Sequence, residues 1–151
     1  MGRKEWVAGD VLRIDLGNGS FAFARVLDFP LVLFYDIFAE KMLPLNQVVA
    51  SKELFKIWVM KKAFSSRGWE VIGNSPSDVG LLESPVFFKF DPISKKFSLY
   101  QNGAEVPACR QQCEGLERAA VWDPVHVEDR LRDYFNGVPN KWVESLKLPV
   151  K

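Results

Sequence analysis

Hydrophobic and polar residues alternate along the first part of the chain in the pattern of β-strands. In residues 12–16 every second residue is Leu or Ile and the residues between them are charged, which is the two-residue period of a half-buried strand. Residues 17–19, Gly-Asn-Gly, tolerate the positive φ angles of a tight turn. In residues 21–27 large Phe and small Ala residues alternate. We therefore predict a β-hairpin with one packed face and one closely approached face.

Further strands follow until about residue 106. Residues 31–38 are almost continuously apolar, which is typical of a central strand buried on both faces. The pattern then predicts a long strand at 53–64, a short strand at 69–73, a loop at 74–85, a second hairpin from 85–91 and 96–100, and a turn at 101–103 before a short strand at 105–106.

The last part of the chain has a helical pattern. Asp123 can cap free backbone N–H groups, and Pro124 suits the first helical position, so a helix begins here. Its apolar stripe is Val127, Leu131, Tyr134 and Phe135. The helix ends at residues 136–137, and a second short helix begins at residues 139–140. Strands first and helices last predict an α+β fold: a strongly bent antiparallel β-sheet or small β-barrel followed by one or two C-terminal helices.

Length and composition fit a single globular domain over residues 1–151. Hydrophobic residues make up 48% of the chain, and 12 Phe and 5 Trp supply bulk for a core. The start of the chain is polar, and the longest apolar run, residues 31–35, is too short to span a bilayer. We therefore expect a cytoplasmic protein without a membrane segment.

Charge makes nucleic acid an unlikely partner. The chain has 20 basic and 19 acidic residues, whereas proteins that depend on phosphate contacts usually show a clear basic excess. Lys61, Lys62 and Arg67 could form a local basic patch, but a solvated turn is the favoured interpretation.

Cysteine and histidine usage argues against a metal site. Cys109 and Cys113 lack the spacing of a redox or zinc motif, and we interpret them as reduced thiols, although a labile disulfide is conceivable. His126 is the one histidine in the chain, so a zinc site would need carboxylates to complete it. We predict no metal and no cofactor.

Catalytic patterns are equally sparse. Any Ser-His-Asp or Cys-His arrangement must use His126 as its base, but no Gly-x-Ser-x-Gly elbow or phosphate-binding glycine loop accompanies it. No spacing singles out a pair of carboxylates. Asp36 is the one charge in an apolar strand, and we interpret it as paired with Arg25 or capped by the backbone. We predict no catalytic residues.

The segment 115–123 places Glu117 and Arg118 directly before a small apolar run and Trp122. Two interpretations stay open. The charges could be half-buried under the sheet, where bidentate arginine–carboxylate geometry fixes a register. Alternatively, Arg118 and Trp122 are exposed and form a hot spot for a partner, since Trp and Arg are enriched at such sites.

Several motifs together resemble the Imm26 immunity proteins. They are Gly9-Asp10-Val11, residues 17–27, Phe34-Tyr35-Asp36, Trp69 to Asn74, Gly115 to Trp122, His126 to Asp133, and Gly137 to Asn140. The likeness runs through almost the whole chain in the right order. Ala24 stands where a glycine is expected, which should tighten the hairpin without altering it.

The resemblance implies a bacterial, non-catalytic protein that binds and neutralises a cognate polymorphic toxin. The balanced charge argues against a basic nuclease as that toxin. The partner-binding candidates are Asp36, Glu117, Arg118, Trp122, His126 and Arg130. One alternative is a small β-barrel module that binds single-stranded nucleic acid or peptide through Trp58, Trp69 or Phe88. The other is a small enzyme that uses His126. The oligomeric state stays open.

Overall fold

A curled six-stranded sheet forms the centre of the molecule. The structure is a computed structural model that describes residues 5–76 and 84–149. The polar start of the chain (residues 1–4) and most of the predicted loop (residues 77–83) lie outside the described residues. The strands are β1 (Asp10–Asp15), β2 (Phe21–Val26), β3 (Leu31–Ala39), β4 (Glu53–Val59), β5 (Trp69–Asn74), β6 (Phe87–Phe90), β7 (Phe97–Gln101), β8 (Ala104–Ala108) and β9 (Val121–Trp122). The α-helices are α1 (Leu45–Val49), α2 (Arg110–Cys113), α3 (Pro124–Phe135) and α4 (Lys141–Ser145).

The large sheet has the strand order β5-β1-β2-β3-β4-β9. Its neighbouring strands are antiparallel except β4 and β9, which run parallel. The two end strands, β5 and β9, do not pair with each other in the described part of the chain, so the sheet is open. The α+β prediction is confirmed, and of its two forms the described residues make the bent sheet and not the closed barrel. A separate three-stranded sheet has the order β6-β7-β8.

The predicted first hairpin is confirmed, and local hydrogen bonds explain its turn. Gly17 and Gly19 have φ angles of 78° and 88°, which few side chains tolerate. The Asp15 carboxylate accepts from the Gly17 N–H at 2.8 Å, and the Asn18 side chain accepts from the Ser20 hydroxyl at 2.6 Å. Ala24 is fully buried and pairs with Leu12 in an unbroken β1–β2 register, whereas the β2–β3 register shifts between Ala22 and Ala24.

The two faces of the large sheet bury different layers. Ala22 and Ala24 of β2 face the C-terminal helices, and their small side chains let Leu131 of α3 and Phe34 of β3 fill the same core. On the opposite face Phe23 joins a core that α1 and the small sheet cover. Each fully buried Phe or Leu side chain contributes roughly 1.5–3 kcal/mol, so both layers contribute substantially to stability.

The small sheet confirms the second predicted hairpin and the turn after it. Asn102 and Gly103 in that turn have φ angles of 52° and 82°. The sheet packs on the large one through Trp58, whose ring centroid lies 4.5 Å from that of Phe87 and 5.4 Å from that of Tyr100. The sequence pattern did not predict that these strands form a sheet of their own.

One strand prediction in the region of β4 is wrong in its end point, and strand β9 was missed. The strand predicted over residues 53–64 ends at Val59, because residues Lys61–Ser65 form a 3₁₀ helix. The Met60 N–H donates to the Trp122 carbonyl at 2.9 Å, which extends the parallel pairing of β4 with β9 by one bond before the 3₁₀ helix begins. Strand β9, which supplies that carbonyl, was not predicted.

Both C-terminal helices begin where predicted. Asp123 accepts from the Val125 N–H at 2.9 Å and Asn140 from the Val143 N–H at 3.0 Å, so each side chain caps its helix. The apolar stripe of α3 is confirmed except for Tyr134, which is 44% exposed at its edge. No helix in the described ranges is long and apolar enough to cross a membrane.

Candidate partner-binding surface

Five of the six predicted site residues lie close together around β9 and α3. Glu117 and Arg118 belong to the segment that runs from α2 to β9 and hydrogen-bonds to β6. There the Phe88 N–H donates to the Glu117 carbonyl at 3.0 Å, and the Ala119 N–H donates to the Phe88 carbonyl at 2.8 Å. Trp122 is in β9, and α3 carries His126 and Arg130. The sixth residue, Asp36, is on β3 and contacts the C-terminal end of α3 through Tyr134.

Arg130 and Glu117 form an internal ion pair. The two terminal nitrogens of Arg130 donate to the two carboxylate oxygens of Glu117 at 3.1 and 2.6 Å, which is bidentate geometry. The guanidinium carbon also lies 3.6 Å from the ring centroid of Phe55 and 4.9 Å from that of Trp122. The half-buried bidentate pair that the sequence suggested therefore exists, but its arginine is Arg130.

His126 has a packing role in this structure. Its ring stacks on that of Trp142, with centroids 3.6 Å apart and an interplanar angle of 18°. The Trp142 indole N–H donates to Asp129 at 3.1 Å. His126 thus helps to hold α4 against α3.

The start of α3 carries a second ion pair. The Lys62 ammonium lies 2.6 Å from the Asp123 carboxylate, and its hydrogen bond lowers the pKa of Asp123 below the ordinary value. The backbone N–H of Val125 acts in the same direction. Lys62 of the predicted basic turn is therefore partly engaged in holding the junction between β9 and α3.

Asp36 has a different partner from the one predicted. It accepts from the Tyr134 hydroxyl at 2.9 Å, and this hydrogen bond raises the pKa of Tyr134. The predicted pairing with Arg25 is wrong, because Arg25 lies beside Leu33 on the face turned toward the small sheet and donates to the Ser75 carbonyl. Near Asp36, the exposed ring of Phe38 packs 4.6 Å from that of Phe135.

Arg118 differs from the other candidates because its guanidinium has no acceptor among the described residues. It lies over the ring of Phe88, with 5.2 Å between the guanidinium carbon and the ring centroid. Its Nε is buried without a hydrogen-bond partner in the described part of the chain, and so is the indole nitrogen of Trp122. Buried donors in proteins are normally satisfied, so these two groups mark an under-satisfied region.

Arg118 and Trp122 line a groove of about 500 Å³, which we call the Arg118 groove. Its other wall belongs to the chain around and after α4, including Leu146 and Lys147. Lys147 pairs with Glu144 at 2.9 Å, and Glu117 is engaged by Arg130. The groove therefore presents one half-buried cationic side chain that contacts a ring but has no acceptor among the described residues.

The sequence did not point to the α4 side of this groove or to its floor. Cys113 lies there, fully buried, and burial raises the pKa of its thiol. Cys109 is exposed, and both cysteines are free, in line with the predicted reduced thiols. A buried cysteine beside a turn is a common packing feature, so residue type alone gave no functional signal.

The aromatic residues proposed as stacking platforms for nucleic acid are used in the interior. Trp69 and Phe88 are buried, and Trp58 packs between Phe87 and Tyr100. Trp69 and Phe88 are therefore not available to bases, whereas Trp58 is half-buried and its proposed stacking role stays a prediction. In the described ranges no group of three or more His, Cys, Asp or Glu residues is placed to hold a metal ion.

Comparison with known families assigns the chain. The immunity protein 26 (Imm26) family matches residues 7–99, which is more than half of the chain. The chain belongs to the Imm26 family. No curated protein and no solved structure matches it.

The Imm26 match covers β1 to β5, β6 and part of β7, and includes the first hairpin and the Trp69 motif. The motifs that resemble Imm26 proteins in residues 115–140 lie beyond the matched range, so their resemblance stays a prediction. The residues that line the Arg118 groove, from Cys113 to Leu148, also lie beyond it. The matched part thus forms most of the large sheet, and the groove is built around the segment that adds the edge strand β9.

Proposed function

We propose that this protein is a non-catalytic immunity protein that binds and neutralises a cognate toxin domain of a bacterial polymorphic toxin system. The observation that carries this proposal is the Imm26 family match over residues 7–99. The site of action is the cytoplasm, and residues 1–151 act as one domain. Hydrogen bonds between Phe88 and the segment before β9, and the packing of Phe87 on Trp58, support that unity.

In this proposal the six candidate residues have two roles: some contact the toxin and the others position the binding surface. Arg118 contacts the toxin directly, because it lines an open groove and has no acceptor in the described ranges. Asp36 and the Tyr134 hydroxyl that is hydrogen-bonded to it form a second contact with the toxin at the edge of α3. The remaining candidates position the surface from within: Glu117, Trp122, His126 and Arg130.

Growth of bacteria provides the test. Toxin domains encoded by the genes that flank this one are expressed with and without the protein. We expect one of them to arrest growth and the wild-type protein to restore it. If the protein restores growth with none of the toxic domains, the proposed function is wrong.

A variant of His126 separates binding from catalysis. His126→Phe keeps an aromatic ring that can stack on Trp142 but removes acid–base chemistry. A binding protein should protect cells as well with this variant as with the wild type. If a variant that unfolds at the same denaturant concentration as the wild type still binds the toxin but no longer protects, the enzyme hypothesis is favoured; if it loses both binding and protection, His126 belongs to the binding surface.

A further inference from the structure

We infer that the Arg118 groove binds an acidic peptide segment of the partner, with a carboxylate placed against the Arg118 guanidinium. This inference rests on the proposed function, because it names the chemistry of the toxin surface that the same site would recognise. Its structural basis is the contrast in hydrogen bonding between Arg118 and the other charged residues of this region.

The first argument is the identity of the unsatisfied groups. The Arg118 Nε and the Trp122 Nε1 both carry a hydrogen that can only be donated, and neither has an acceptor among the described residues. Both atoms are enclosed, so a partner does not reach them directly. The terminal nitrogens of Arg118 are the donors left to a partner: they have no acceptor among the described residues either, and they can bind a carboxylate with two parallel hydrogen bonds.

The second argument is the balance of charge in the groove. Glu117 is neutralised by Arg130, and Lys147 by Glu144. Two charges remain, those of Arg118 and Glu114. Glu114 is exposed, so water and salt screen it, whereas Arg118 is half-buried over Phe88 and is screened less. The stronger local field is therefore positive and favours an acid.

The third argument concerns size and lining. A volume of about 500 Å³ is in the range that holds small ligands and is sufficient for one or two side chains of an extended peptide. Leu116, Val143 and Leu146 line it with apolar surface that can pack against the methylene groups of such side chains. A protein segment suits this lining better than a free inorganic anion does.

A peptide titration tests the inference without the toxin. Tetraglutamate is added to the ¹⁵N-labelled full chain, and the Nε–H signal of Arg118 and the indole N–H signal of Trp122 are followed by NMR. We expect saturable shifts of both signals with tetraglutamate and none with tetralysine. No saturable shift with tetraglutamate, or equal shifts with tetralysine, would overturn the inference. Tighter binding of a ten-residue oligothymidylate at this site would overturn it in favour of nucleic acid.

Three variants sharpen the titration. Arg118→Gln should weaken tetraglutamate binding at least tenfold, which corresponds to about 1.4 kcal/mol. Glu114→Gln should strengthen it by roughly a factor of two, because a repulsive charge is removed. Arg67→Gln is the matched control, since Arg67 is exposed and does not line the groove, and it should change nothing. Equal weakening by Arg118→Gln and Arg67→Gln would mean unspecific attraction and would also overturn the inference.

The two proposals fail in different experiments. Growth rescue by the wild type without tetraglutamate binding would leave the immunity function intact and remove the acidic partner. Tetraglutamate binding at Arg118 without rescue from any toxin domain would remove the immunity function and leave the site for acidic peptides.

Discussion

Two neighbouring regions of this protein use an arginine beside Trp122 in opposite ways. In the Glu117–Arg130 region the guanidinium is bonded to a carboxylate and lies between two aromatic rings, and Arg130 is only 8% exposed. In the Arg118 groove the guanidinium is backed by one ring and has no acceptor in the described part of the chain. The comparison teaches that residue type does not distinguish an internally paired arginine from one that is left without an acceptor. The distinction comes from whether the fold itself supplies the acceptor.

The largest expected effect comes from breaking the internal pair. Arg130→Ala leaves the carboxylate of Glu117 without its partner and opens space between Phe55 and Trp122. We expect the free energy of unfolding to fall by about 3 kcal/mol, at the lower end for a buried pair because the Glu117 side chain is still 32% exposed. Urea unfolding measures this change.

A double variant checks the cause of that loss. Glu117→Gln combined with Arg130→Met removes both charges and keeps a side chain between the two rings. It should be more stable than Arg130→Ala, since no uncompensated carboxylate remains. An equal or greater loss in the double variant would show that packing, not the unpaired charge, explains the effect.

The junction between β9 and α3 should show a smaller, pH-dependent effect. Asp123→Ala removes the helix cap and the bond to Lys62, and it should cost about 1 kcal/mol at neutral pH. Because the pKa of Asp123 is lowered in the folded protein, its stabilisation is present above the unfolded pKa of about 3.9 and is lost as the pH falls through the folded pKa. The difference between wild type and variant should shrink below about pH 4.

Asp123→Asn separates the two contributions of this residue. Asn can still cap the helix but does not titrate, so the variant should retain most of the stability at neutral pH. If the difference between wild type and Asp123→Ala stays constant from pH 7 down to about pH 2, the explanation from the lowered pKa is contradicted.

The smallest effects on stability should come from the two groups assigned to the partner. Tyr134→Phe removes one exposed hydrogen bond to Asp36 and should change the free energy of unfolding by no more than about 0.5 kcal/mol. Arg118→Ala should also stay within about 0.5–1 kcal/mol, because it breaks no hydrogen bond to a described residue. A loss from Arg118→Ala as large as that from Arg130→Ala would erase the contrast between the two regions.

Local chemistry explains which parts of the fold were predictable from the sequence. The first hairpin and the start of α3 are specified by turn glycines and by Asp123 next to Pro124, so short-range patterns revealed both. Strand β9 is two residues long and pairs with β4, which is distant in sequence, so no period could show it. The same applies to the division of the strands into two sheets, which tertiary packing decides.

The candidate site shows the same limit. The sequence indicated either a bidentate ion pair or a hot spot around Glu117 and Arg118. The structure contains the ion pair, but the partner of Glu117 is Arg130, which follows it by 13 residues. Successive side chains of an extended segment point to opposite sides, so Glu117 and Arg118 meet different neighbours. The residue that lies next to each side chain depends on where α3 packs, and the sequence pattern does not contain that information.

The affinity of the cognate toxin domain for Arg118→Gln tests the central claim most directly. Isothermal titration calorimetry with a catalytically inactive toxin domain compares this variant with the wild type and with the control Arg67→Gln. We predict that Arg118→Gln weakens binding about 30-fold or more, because truncating one side of a buried charge pair costs about 2 kcal/mol or more. The free energy of unfolding of the variant should stay within about 0.5–1 kcal/mol of the wild type. An unchanged affinity for Arg118→Gln, or the same loss for Arg67→Gln, would contradict the assignment of Arg118 to the toxin.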